Sequence, residues 1–157
     1  MKARNGFTLV EILIVVVILG ILAAIVIPQF TEASNEARMS SLVSDLQTVR
    51  SQIELYKIQH TDALPGAFSG TVTPAMALTM YSNAAGDTSV AQQPDVGIFG
   101  PYLQKIPTNP FATDYGDQIV SAATSPDPND GGTDDPGWFF NTVTGAFGAN
   151  TVGHTGL

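Results

Sequence analysis

The feature that most constrains this chain is a run of sixteen residues, 12–27, without a single charge. With the residues just before it, the apolar stretch covers positions 7–27, twenty-one in all, close to the ~20 that cross a hydrocarbon core of ~30 Å as a helix. Eleven of these are Val or Ile, which in water would favour a strand, but strands of soluble domains run only about 4 to 8 residues. In lipid every backbone group must be bonded within the protein, and a single segment achieves that only as a helix. Glu11, the one acid in the stretch, does not overturn insertion. The sixteen Ile, Leu, Val and Phe residues contribute about −0.3 to −0.6 kcal/mol each, about −5 to −10 together, against about 2.5 to 3.5 for an acid at the centre. Glu11 also lies only one helical turn inside the span.

Residues 1–6 carry Lys2 and Arg4 and no acid. The positive-inside rule therefore holds this end in the cytoplasm and sends the remainder outward. A secretory signal that is removed whole ends its apolar core on a small-x-small site. Here the core closes as Ala23-Ala24-Ile25-Val26-Ile27-Pro28, with no Ala-x-Ala spacing, so the helix is expected to stay in the mature protein.

A short basic leader ending in Gly6, then Phe7-Thr8-Leu9-Val10-Glu11 and an apolar helix, resembles the class III signal of type IV pilins and type II secretion pseudopilins. The resemblance implies that a prepilin peptidase cuts between Gly6 and Phe7 and methylates the new amino terminus, making Phe7 N-methylphenylalanine. It implies a cleaved leader at 1–6, a transmembrane and assembly helix at 7–28, and a periplasmic or extracellular domain at 29–157. In the family, the glutamate matching Glu11 meets the amino terminus of a neighbouring subunit, so that two charges costly in an apolar bundle compensate each other. Gly20 and Pro28 match positions between which the helix partly melts in pilus filaments. The plainer alternatives are a snorkelling Glu11, a packing glycine and a simple proline kink.

The water-facing remainder, about 130 residues, suffices for one small domain that buries roughly two-thirds of its surface. Loss of Lys2 and Arg4 leaves four basic against fourteen acidic residues, so the side-chain charge moves from −8 to −10. That balance argues against general nucleic-acid binding. The chain has no cysteine, which removes disulfides, thiolate metal sites and thiol chemistry.

After Pro28 the pattern turns amphipathic. Phe30, Ala33, Ala37, Leu42, Leu46, Val49, Ile53 and Tyr56 recur at spacings mostly of three and four, which predicts one buried helical face continuing to about His60. The other face carries Glu32, Glu36, Arg38, Asp45, Arg50, Glu54 and Lys57, and Pro28 is expected to kink the helix. Leu64-Pro65-Gly66 stops it. Thr73-Pro74 before Ala75, Met76, Leu78 and Met80 reads as a short helix with a threonine cap and proline at its first position. Residues 83–97 are polar and without period, a loop, and a strand is expected near 118–121. Trp138-Phe139-Phe140-Asn141 and Gly145-Ala146-Phe147-Gly148 flank Thr142-Val143-Thr144, as in a hairpin with Gly145 at an unusual backbone angle. The fold class is α+β: a long kinked helix, transmembrane in its first half, with its second half packed on a small antiparallel sheet. An aromatic sheet face would cover Leu46, Val49 and Ile53.

This order of elements, with Gly100-Pro101-Tyr102-Leu103 and its following prolines, is similar to the major pseudopilin of type II secretion. Where such proteins show Asp-Pro-Trp-Gly, this chain has Asn109-Pro110-Phe111-Ala112. No catalytic constellation is present: His60 and His154 read as solvated, and neither a P-loop nor a dinucleotide fingerprint occurs. The metal candidate is the acidic run holding Asp127, Asn129, Asp130, Asp134 and Asp135, all oxygen donors of the kind calcium takes. Its spacing is not that of an EF-hand, because Gly131 takes the fifth place and Trp138 stands where the closing glutamate belongs. Major pseudopilins bind calcium in a C-terminal loop, and the alternative here is a solvated acidic loop.

The resemblance implies a structural subunit, not an enzyme. It would be stored in the inner membrane and assembled as a homo-oligomer into a periplasmic pseudopilus, with prepilin peptidase, the inner-membrane assembly platform and minor pseudopilins as partners. The alternatives are the major pilin of an extracellular type IV pilus and a membrane-anchored enzyme or binding module. Mass spectrometry of membrane-extracted protein is expected to find a chain beginning at Phe7 with one added methyl group, and Gly6→Val is expected to block the cut. A chain still carrying Met1, or one beginning after Ala24, would contradict this processing.

Overall fold

The computed structural model describes residues 7–68, 71–89, 98–124 and 136–157. The chain forms two compact units, Met1–Arg38 and Met39–Leu157. Helix α1 (Leu9–Gln59) contributes to both and continues through Pro28 without interruption. Beside the proline, the Thr31 hydroxyl donates to the Ile27 carbonyl at 3.2 Å.

In the first unit none of the described residues covers the apolar side chains. All sixteen Ile, Leu, Val and Phe side chains between Phe7 and Ile27 are 41 to 84% exposed. The expected stripe does not start where its period does: Phe30, Ala33 and Ala37 are exposed, with Phe30 at 73%. Periodicity shows which residues share a face, but only chain from elsewhere can bury that face, and these three positions precede the second unit.

In the second unit the same stripe is buried as expected, at Leu42, Leu46, Val49, Ile53 and Tyr56. Facing it is a three-stranded sheet of β3 (Ile119–Ala122), β4 (Trp138–Asn141) and β5 (Phe147–Ala149), in the order β3-β4-β5. The hairpin is antiparallel, with Phe140 opposite Phe147 and Trp138 opposite Ala149. Because side chains alternate across a strand, these four share one face, and all four join the core with Leu42, Leu46, Val49 and Ile53. Truncating a buried leucine of this kind costs about 2 to 5 kcal/mol. The sheet is mixed rather than wholly antiparallel, since β3 runs parallel to β4 from Ile119 opposite Trp138 to Ala122 opposite Asn141. A parallel pair needs a crossover of about a dozen residues or more, and residues 123–137 supply that length.

The hairpin turn is built by side chain and backbone together. Asn141 Oδ1 accepts from the Val143 and Thr144 amides at 2.9 and 2.8 Å. Gly145 has φ of +75°, an angle that favours glycine, and a Cβ there would push against the Leu64 side chain, with Cδ2 2.6 Å away. The short helix α2 (Pro74–Thr79) forms where predicted, with Thr73 Oγ1 accepting from the Met76 amide and Pro74 in its first turn. Its Leu78 carbonyl accepts from the Tyr102 and Leu103 amides at 3.0 and 2.9 Å, which tacks the proline-punctuated segment to the core. Inside the stretch 83–97, expected to be a loop, lies β2 (Thr88–Ser89), which pairs antiparallel with β1 (Tyr81–Ser82) just before it. The turn between them closes on Asn83, whose Oδ1 accepts from the amides of Ala85 and Asp87, a local bond that hydropathy does not register.

Two polar side chains anchor the sheet to its surroundings. Asn109 is 1% exposed and its Nδ2 donates to the Gly137 carbonyl at 2.7 Å, a bond that an ionised aspartate at this position has no proton to make. Trp138 Nε1 donates to the Pro107 carbonyl at 2.7 Å. Gly137 itself packs so closely that a Cβ would meet the Gly116 carbonyl oxygen at 2.3 Å.

The two histidines are not solvated as expected. His60 is fully buried, stacked on Tyr56 with centroids 3.8 Å apart, and its Nδ1 and Nε2 bond the Tyr56 carbonyl and the Ser82 hydroxyl. His154 is half-buried and stacks on Phe111 at 4.0 Å. Each lies where aromatic residues distant in sequence converge, and neither position is marked by local pattern.

Burial pushes the Tyr56 phenol up to about 12, helped by the neighbouring Tyr102, and burial pushes Tyr102 likewise to about 12. A phenol whose folded pKa is raised contributes stability that is full below its unfolded value of ~10 and is lost as pH rises through the folded value. Alkaline titration of the detergent-solubilised protein is therefore expected to show stability falling from about pH 10 to 12. Tyr56→Phe, which also removes a buried hydroxyl without a partner among the described residues, is expected to flatten that fall, and an unchanged profile would contradict the assignment.

Candidate assembly site at the start of the long helix

Of the residues singled out above for assembly and processing, Phe7, Glu11, Gly20 and Pro28 lie on or just before the exposed first half of α1, and Gly6 lies outside the described residues. Helix α1 opens at Leu9, so Thr8 stands at its cap and Glu11 on the third helical position. The two close a reciprocal arrangement. Glu11 Oε2 accepts from both the amide and the hydroxyl of Thr8, each at 2.8 Å, and Thr8 Oγ1 accepts from the Glu11 amide at 3.3 Å. This is a capping box, which satisfies backbone donors that the first helical turn otherwise leaves free. In an apolar surrounding each such donor, left alone, would cost several kcal/mol.

Thr8 is the residue that sequence reasoning missed, although its signal, Thr-x-x-Glu ahead of an apolar run, was present. Phe7, immediately before it, is 84% exposed. At Gly20 a Cβ would meet nothing within 4 Å, so no contact in the described chain calls for glycine there. The helix is long and apolar enough to cross a membrane, and none of its most apolar stretch is buried. A soluble core helix of this character would be covered.

The acidic run with Asp127, Asn129, Asp130, Asp134 and Asp135 lies outside the described residues. Among the described residues, no group of three His, Asp or Glu side chains is placed to hold a metal. An ion pair there joins Lys57 to Glu54 at 3.1 Å, one turn apart on α1.

The capping box has a direct test. Thr8→Val keeps the side-chain volume and removes the hydroxyl, a loss worth about 0.5 to 2 kcal/mol at a helix start. Hydrogen exchange of the protein in micelles is expected to quicken by roughly tenfold at residues 9–12 and to stay unchanged beyond the second turn. Equal exchange in both proteins would mean that the box does not hold the helix start.

A family model described as the prokaryotic N-terminal methylation motif matches residues 1–27. Over most of its length the chain is similar to proteins named type II secretion system core protein G. That of Klebsiella pneumoniae is 30% identical over 121 residues, covering 77% of each chain. That of Pseudomonas aeruginosa is 31% identical over 114 residues, 73% of this chain and 72% of the relative. The Vibrio cholerae protein is 29% identical over 135 residues, 86% of this chain and 79% of the relative. No solved structure gives a significant match. A methylation motif on an unburied apolar helix, followed by similarity that runs on through the water-facing region, leads to one assignment: the chain belongs to the family of type II secretion system core protein G, the major pseudopilins.

Proposed function

We propose that this membrane-anchored chain is the repeating subunit of a periplasmic pseudopilus that drives or scaffolds type II protein secretion. The observation that carries the reading is the lone acid Glu11 in the stretch 7–27, whose sixteen large apolar side chains all lie exposed. Such a surface requires lipid or the helices of other subunits. Storage in the membrane supplies the first and a filament supplies the second.

The order of events follows from charge. In the membrane, one turn from the end of the span, Glu11 keeps access to the headgroups. Drawn among neighbouring apolar helices, it becomes a buried charge that is expensive without a partner. The amino terminus created at Phe7 is a positive group carried at the same depth by every subunit, so cleavage after Gly6 precedes assembly. The capping box holds Glu11 to its own Thr8 in the isolated subunit, and pairing with a neighbour's amino terminus would exchange one set of partners for another. Gly20 and Pro28 lower the helical propensity of the segment between them, in keeping with local melting on assembly.

Prepilin peptidase, the inner-membrane platform and minor pseudopilins are the partners this role requires. The amino end would face the cytoplasm before extraction, in keeping with Lys2 and Arg4. The naming of the relatives favours a pseudopilus over an extracellular type IV pilus. Calcium is the cation that the acidic run suits, because its donor set offers only oxygens; there it would offset the charge of the run's aspartates.

Glu11→Leu is expected to leave membrane insertion and the second compact unit intact while filament growth falls severely, read by fractionation together with shearing and electron microscopy at matched expression. Normal filaments from this variant would return Glu11 to a snorkelling role. Secreted enzymes are expected to accumulate in the periplasm of a deletion strain, and unchanged export would reject the secretion role. Millimolar calcium is expected to raise the melting temperature by mass action, an effect that Asp127→Ala or Asp134→Ala removes. Melting that ignores calcium would leave these aspartates as solvated loop residues.

A further inference from the structure

We draw no further inference here: the strongest candidate, the cavity of about 260 Å3 walled by Phe111, Thr113, Asn150, Thr151 and His154, carries nothing, because its Asn150 amide oxygen, without a partner among the described residues, is closed off from solvent and nothing in the structure shows what would fill it.

Discussion

An apolar helix surface left uncovered by the described residues is the constraint on which the remainder depends. Each of the sixteen large side chains from Phe7 to Ile27 keeps at least 41% of its area open, whereas a soluble monomer seldom exposes a contiguous apolar patch beyond a few hundred Å2. Burial worth roughly 25 cal/mol per Å2 is thus left to be gained from lipid or from other copies of the same helix. Neither surrounding solvates a backbone donor, which gives the Thr8–Glu11 box its weight. It satisfies amides at the helix start and holds a carboxylate in a defined place, so the one charge in the span also ends its helix cleanly.

Helix α1 meets the opposite situation after Arg38. The stripe of Leu42, Leu46, Val49 and Ile53 is covered by Trp138, Phe140, Phe147 and Ala149, and neither surface would be stable without the other, since a three-stranded sheet needs a packed face. Polar bonds then give this small core its particular arrangement. Asn109 and Trp138 bond carbonyls 28 and 31 positions away, and Arg50 Nε donates to the Phe147 carbonyl of the edge strand at 2.9 Å. An unpaired edge invites pairing with another chain, and the guanidinium occupies part of it.

What was legible in the sequence was local. Residues 7–27 announce their solvent by length and charge. Thr73-Pro74 names its helix, the Gly145 hairpin its turn, and the spacing of positions 42–56 its buried face. Each rests on neighbours within a few positions, where period, cap and turn chemistry act directly. The Thr8–Glu11 box was equally local and was legible too, had the acid been read for its hydrogen bonds as well as for its charge.

Only the tertiary structure decided where the amphipathic stripe ceases to be covered. Phe30, Ala33 and Ala37 carry the same period as Leu42 and stay exposed, because burial depends on chain arriving from far along the sequence. The same reason accounts for His60, drawn from an apparent helix end into a cage with Tyr56, Phe99 and Tyr102. It accounts as well for β3 joining parallel to β4, since strand direction is chosen by the sheet and not by the strand. Sequence by itself determined that this chain needs two solvents and that the first half of its long helix belongs to the apolar one. The fold alone decided which residues meet across the core, because those contacts are stabilised only when all the partners are brought together.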